Sequence, residues 1–167
     1  MSGAPATSGG RGKGLGVDEF AQALPAGARL LGLDVGTKTV GLALSDVTRM
    51  IASGLTTLAR GKFAADARRL LEIVQEHGVG GLVIGLPVNL DGSEGPRAQA
   101  TRAFTRNLAK LTPLPVLLWD ERLTTAAAER SLLEADVSRR RAEVIDKVAA
   151  TLILQSALDR LRLLARG

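Results

Sequence analysis

Leu31-Gly-Leu-Asp-Val-Gly-Thr-Lys-Thr-Val-Gly-Leu-Ala-Leu-Ser-Asp46 is the stretch from which the rest of the chain can be read. The apolar run from Leu30 to Leu33 ends abruptly in a carboxylate, Asp34. Gly36-Thr37-Lys38-Thr39 then reads as a tight turn, and Val40 to Leu44 is a second apolar run. Two short β-prone segments joined by a Gly-containing turn form the pattern of a β-hairpin. An acid closing a buried strand is costly unless a cation or hydrogen bonds compensate it. On spacing alone Asp34 reads equally well as a turn cap or as part of a site. Gly36 suits a positive φ, and Gly41 leaves room for a close approach.

Downstream, Ile51 to Leu58 alternates apolar and small polar residues and is predicted to close a three-strand meander. Phe63 to Glu76 carries Ala67, Leu70, Leu71 and Val74 at helical spacing and stops at His77-Gly78, a cation and a glycine at a helix C-terminus. Gly81 to Pro87 is a compact apolar run, as for a central strand in a parallel pairing. After a polar connection from Val88 to Gly95, Ser93 is the expected N-cap of a helix reaching Leu111, with Pro96 in its first turn. That helix should bury Ala100, Phe104, Leu108 and Leu111, while Arg102, Arg106 and Lys110 share another face, solvated or, as the alternative, in contact with phosphate.

Leu114 to Trp119 is a further strand and, like the first, it ends in acid, at Asp120-Glu121. Thr124 or Thr125 can cap a helix to about Leu133, and Val137 to Arg141 reads as a basic loop. The last helix, from Ala142 to about Leu163, places Asp146 on the same side as Ala149, Ala150 and Ile153. That side would pack on the sheet. Small residues below a carboxylate let a helix backbone come close to strands.

The order of elements predicts an α/β fold: a mixed five-stranded sheet, with an antiparallel β1-β2-β3 meander plus two parallel strands, flanked by helices on both faces. Residues 1–27, rich in Gly, Ala, Ser and Pro, are expected to be a flexible N-terminal tail in which Asp18 to Leu24 can form a short helix, and 28–167 a single domain.

Composition narrows the functional classes. The 167 residues are 46% hydrophobic and 23% charged, within the range of a globular protein. No cysteine is present, which excludes disulfides and thiolate metal sites and fits a reducing, cytoplasmic setting. No apolar run is long enough to span a bilayer, so no membrane role is expected. A net charge of +5 favours polyanionic partners, and an aromatic content of 2% disfavours base stacking as the main contact.

In open α/β sheets ligands gather beyond the carboxyl ends of the strands. Asp34 and Asp120-Glu121 would meet there if their strands are neighbours, with Asp146 closing a third side. Crowded carboxylates call for a cation, and oxygen-only ligation suits Mg²⁺ or Mn²⁺. Two such ions about 4 Å apart would clamp the attacking and leaving oxygens of a phosphodiester. Such chemistry requires no histidine base, and the chain has a single histidine, His77.

Four ordered motifs make this pattern specific: Gly32-Leu-Asp34-Val-Gly-Thr37…Gly41, Gly85-Leu-Pro87…Asp91-Gly-Ser93, Asp120-Glu-Arg-Leu-Thr-Thr125 and Ile145-Asp-Lys-Val-Ala-Ala150…Ile153-Leu-Gln155. Together they resemble the YqgF (RuvX) family, from about Arg29 to Leu163. The resemblance implies an RNase H-like fold and metal-dependent hydrolysis of phosphodiesters, in 5′-end processing of pre-16S rRNA or in resolving Holliday junctions. It implies Asp34, Glu121 and Asp146 as catalytic residues and Asp34, Asp120, Glu121 and Asp146 as metal ligands. Structured RNA or branched DNA would be the partner, and a homodimer is compatible with the junction reading. Thr37, Lys38, Ser93, Arg122, Arg139, Arg140 and Arg141 are candidates for phosphate contact, each with a salt bridge or a solvated charge as the alternative. Related junction resolvases carry an acid on the fourth strand, where this chain reads Gly85-Leu-Pro87. Two rivals stand beside this reading. Asp-x-Gly-Thr also opens the phosphate hairpin of actin-like kinases, but those need two such domains. A module of the same fold could also bind structured RNA without cutting it.

Overall fold

The hairpin read from the sequence is present: in the computed structural model Arg29–Val35 (β1) and Thr39–Ser45 (β2) pair antiparallel, with Asp34 opposite Gly41. The structure describes residues 15–124 and 139–166, with side chains in the last helix from residue 143. Ala52–Ala59 (β3) completes the meander. Val79–Leu86 (β4) and Val116–Asp120 (β5) run parallel to β1, giving the sheet order β3-β2-β1-β4-β5. β4 is buried along its whole length, as an apolar run covered on both faces should be.

Helices α2 (Phe63–His77) and α3 (Pro96–Ala109) cover one face. Leu31, Leu33, Leu42, Leu70, Ile84 and Phe104 make the core there. The other face is covered by the C-terminal helix α4 (Arg139–Arg166), whose Ala150, Ile153 and Leu154 pack with Leu30, Val83 and Trp119. α2 ends as its sequence demands: Gly78 has φ 64° and its N–H reaches the Val74 carbonyl.

Four expectations are corrected. Residues 15–27 are not a loose tail, because Val17–Ala23 forms helix α1 and Phe20 is fully buried in the core beneath α4. Phe20 and Leu24 both lie over Gly81 of β4, so a glycine in the sheet rewards a short apolar stripe that composition diluted. Residues 1–14 lie outside the described residues.

Gly95, not Ser93, precedes α3, because the Ser93 amide and hydroxyl are both given to the Asp91 carboxylate, at 2.9 and 2.6 Å. α3 buries Ala98, Thr101, Phe104, Thr105 and Leu108, whereas Ala100 and Leu111 are exposed. Thr101 and Thr105 can be buried because each hydroxyl donates to the carbonyl four residues earlier, at 3.1 and 2.8 Å. Counting apolar residues alone overlooks them. Finally, α4 starts at Arg139 rather than Ala142, consistent with the good helix propensity of arginine. The helix expected to follow Thr124 or Thr125 falls outside the described residues.

Candidate active site

Asp34 stands at the end of β1 and is only 1% exposed. Gly32, two residues earlier, lies under Leu154 of α4. Alternate residues of a strand share a face, so Asp34 points to the side of the sheet that α4 covers.

Asp146, 8% exposed, arrives from α4. A methyl group at Gly41 would collide with the Asp146 carbonyl oxygen, so glycine here lets the helix backbone settle directly on β2. The buried Thr39 hydroxyl donates a short hydrogen bond to Asp146 Oδ2. That oxygen also lies 3.5 Å from where a Gly36 Cβ would stand, which ties Asp146 to the β1–β2 turn.

Glu121, 1% exposed, opens a 3-10 turn (Glu121–Leu123) after β5 and folds back over β4. Its Oε1 lies 2.8 Å from the position a Gly85 Cβ would take, so any side chain at residue 85 would displace it. In the parallel pairing Leu33 stands opposite Ile84, so Asp34 and Gly85 come next on adjacent strands, about 4.8 Å apart. The space a side chain at residue 85 would take is shared by Ile153 of α4, whose Cδ1 is 2.4 Å from that position, and by the Glu121 carboxylate from the neighbouring strand.

Three carboxylates thus stand over three neighbouring strands: Asp146 over β2, Asp34 on β1 and Glu121 over β4. They share one end and one face of the sheet, and among the described residues no three His, Cys, Asp or Glu side chains form a ready ligand cluster. Donors to individual acids hold them in part: Thr39 on Asp146, and Arg97, whose Nη2 is 4.0 Å from Asp34 Oδ1.

Asp120 turns the other way. It caps the 3-10 turn by accepting from the Arg122 amide, and the Arg122 guanidinium grips it at 2.6 to 3.1 Å. The hydrogen bond from Arg122 holds its carboxyl below the usual range, and the pairing raises the arginine in turn. Arg122 also reaches the Leu90 carbonyl at 3.5 Å, so it braces the connection after β4.

Thr37 and Lys38 are exposed at the tip of the β1–β2 turn, beside Asp34. Ser93 is exposed but engaged with Asp91, whose carboxyl it holds below the usual range. Arg139, Arg140 and Arg141 lie in the first turn of α4, and their side chains are outside the described residues. Arg102 of the basic stripe is a bidentate partner of Glu94, at 2.5 and 2.7 Å, while Arg106 and Lys110 are exposed.

Sequence reasoning missed Thr39, Arg60 and Arg97. Arg60 clamps the turn from β3: its amide donates to the Lys38 carbonyl at 2.8 Å and its Nη1 to the Gly36 carbonyl at 2.7 Å. Its guanidinium also lies 5.5 Å from the centre of the Phe104 ring. No spacing rule exposes such a contact. Arg97 did leave a trace, as a cation placed at the start of a helix.

Comparison with known proteins places this architecture. A protein of Paracoccus denitrificans named as a pre-16S rRNA nuclease is 65% identical over 151 residues, covering 90% of this chain and 96% of that protein. A Rhodobacter capsulatus protein of the same name is 62% identical over 153 residues, with 91% and 96% coverage. Among solved structures, RuvC of Thermus thermophilus with a Holliday junction substrate superposes with a TM-score of 0.53 at 13% identity, covering 81% of this chain and 96% of that one. That likeness shows the fold, which is the RNase H-like fold of the RuvC group. The RuvX family profile, described as Holliday junction resolvase, matches residues 28–160, and this chain belongs to that family.

Proposed function

We propose that this protein is a divalent-metal-dependent nuclease that hydrolyses phosphodiester bonds in the 5′-end processing of pre-16S rRNA. The observation that carries the reading is the set of buried carboxylates at one end of the sheet, Asp34, Glu121 and Asp146, on three neighbouring strands. Buried acids are costly, and three of them at one end of the sheet in a chain with +5 net charge favour a cation and a polyanion as ligands. The names of the relatives at 65% and 62% identity support RNA as the substrate.

The donor set fits a hard cation such as Mg²⁺ or Mn²⁺: it is made of carboxylate oxygens, and the chain contains no cysteine. Asp34, Glu121 and Asp146 would hold it, and Asp120 is drawn away by Arg122. When bound, the cation acidifies the attacking water and neutralises charge on the phosphate. The chain's own residues do the positioning. Thr39 and the close helix–sheet approach at Gly41 fix Asp146, the space at Gly85 admits Glu121, and Arg60 orders the turn that offers Thr37 and Lys38 to a phosphate. Arg97, the second residue of α3, supplies a further cation.

Among the described residues no helix is long and apolar enough to cross a membrane. The family description favours a second reading, resolution of four-way junctions, for which symmetric cutting requires two sites and hence a homodimer. Labelled pre-16S precursor and four-way DNA junctions, each incubated with Mn²⁺, separate the readings. Cleavage of the precursor that Asp34→Asn, Glu121→Gln and Asp146→Asn each abolish supports rRNA processing. Paired cuts in the junction alone support resolution. Binding without any cut supports a non-catalytic module.

A further inference from the structure

We propose that Arg97 is an exchangeable counter-cation: it neutralises Asp34 while the site is free and contacts the phosphate of bound nucleic acid once a divalent ion has taken Asp34. The inference deepens the nuclease reading and rests on it.

Asp34 is 1% exposed, whereas the Arg97 side chain is 36% exposed, so this side chain runs from the buried acid to the surface where a polyanion arrives. Among the described residues, three other arginines around the site are firmly engaged. Arg122 meets Asp120 at 2.6 Å, Arg102 meets Glu94 at 2.5 Å, and Arg60 meets the Gly36 carbonyl at 2.7 Å. Arg97 approaches Asp34 at 4.0 Å, a contact of charge rather than of forked hydrogen bonds. Of these contacts it is the least costly to release.

Its placement on the chain points the same way. Arg97 is the second residue of α3, whose first turn has no acid. A cation there opposes the helix dipole, and Asp34 across the strand end offsets the cost. A guanidinium remains charged at any working pH and presents a planar fork that matches phosphate oxygens. Bringing a phosphate and a divalent ion to Asp34 removes the reason for the Arg97–Asp34 pairing and supplies the guanidinium with a new anion.

Mn²⁺ titrated calorimetrically into the full chain, without nucleic acid, tests the exchange directly. Arg97→Ala and Arg97→Gln should bind Mn²⁺ about tenfold more tightly than wild type, because a competing positive charge is gone. Arg97→Lys should stay near wild type. In thermal melts the two neutral variants should lose stability without Mn²⁺ and regain wild-type melting with it. At saturating Mn²⁺ their kcat should fall roughly 10²-fold, the usual cost of one preorganised charged donor, with Arg97→Lys in between. Unchanged or weaker Mn²⁺ binding in both neutral variants, or wild-type cleavage by them at saturation, overturns the proposal. Wild-type protein that cuts no nucleic acid would overturn the nuclease reading instead, and the Mn²⁺ affinities would still decide whether Arg97 exchanges.

Discussion

The two faces of the sheet are built from the same strands but serve different ends. Beneath α2 and α3 the strands present Leu31, Leu33, Leu42 and Ile84 to Leu70, Ile73 and Phe104, and large side chains fill the space between the layers. Beneath α4 they present Gly32, Gly41 and Gly85, and the helix answers with Ala149 and Ala150. The first face holds the helices off at side-chain length. The second brings a helix backbone down onto the strands and, with it, Asp146 and the inward-turned Glu121. Volume fills the first face throughout, whereas on the second the glycines open local gaps beside the core of Leu30, Val83 and Trp119, and these position charge.

The contrast can be broken from either side. Leu70→Ala should cost about 2 to 5 kcal/mol of unfolding free energy by leaving a cavity under α2. Cleavage per folded molecule should stay unchanged, as denaturant titration paired with activity at low temperature would reveal. Gly41→Ala should cost less stability, about 1 to 3 kcal/mol, because the added methyl pushes α4 off β2. Cleavage should nevertheless fall by roughly 10²-fold, since the displaced element carries Asp146. Equal losses of activity in the two variants would erase the proposed division between the faces.

Thr39→Val sharpens the same point with a smaller change. Removing the hydroxyl that donates to Asp146 should cost about 1 to 3 kcal/mol, because a buried carboxylate oxygen loses a partner. Saturating Mn²⁺ should recover part of that loss, which melting curves with and without the ion would measure.

Asp120→Asn should have the smallest effect. The folded-state pKa of Asp120 is depressed by Arg122, so its contribution is present above the unfolded carboxylate value near 3.9 and is lost as pH falls through the lower folded value. The variant should therefore be slightly less stable than wild type at neutral pH, with the difference vanishing in acid. Cleavage should survive, in contrast to Glu121→Gln.

Much of the fold was legible because it rests on local patterns. The β1–β2 hairpin, the buried β4 run and the helix ending at His77-Gly78 each follow from periodicity and a glycine in its proper place. A short helix over Asp18 to Leu24 was legible, but its docking was not, because Phe20 gains its burial from Gly81, sixty-one residues on, and composition does not show such a contact. The acids were legible as strand and helix ends. The opposite directions of Asp120 and Glu121 were not, because they depend on Arg122 taking one and the space above Gly85 admitting the other. The Ser93 misreading has a similar origin: its local Asx turn with Asp91 competed with the cap and won.

Mn²⁺ binding by wild type and by Asp34→Asn, Glu121→Gln and Asp146→Asn is the most direct measurement of whether these three carboxylates form one centre. Each substitution should weaken the same calorimetric binding event by at least about tenfold, with the melting temperature of each variant no longer raised by the ion. A variant of any one of the three that keeps wild-type affinity and the full thermal shift would remove that carboxylate from the centre and contradict the claim.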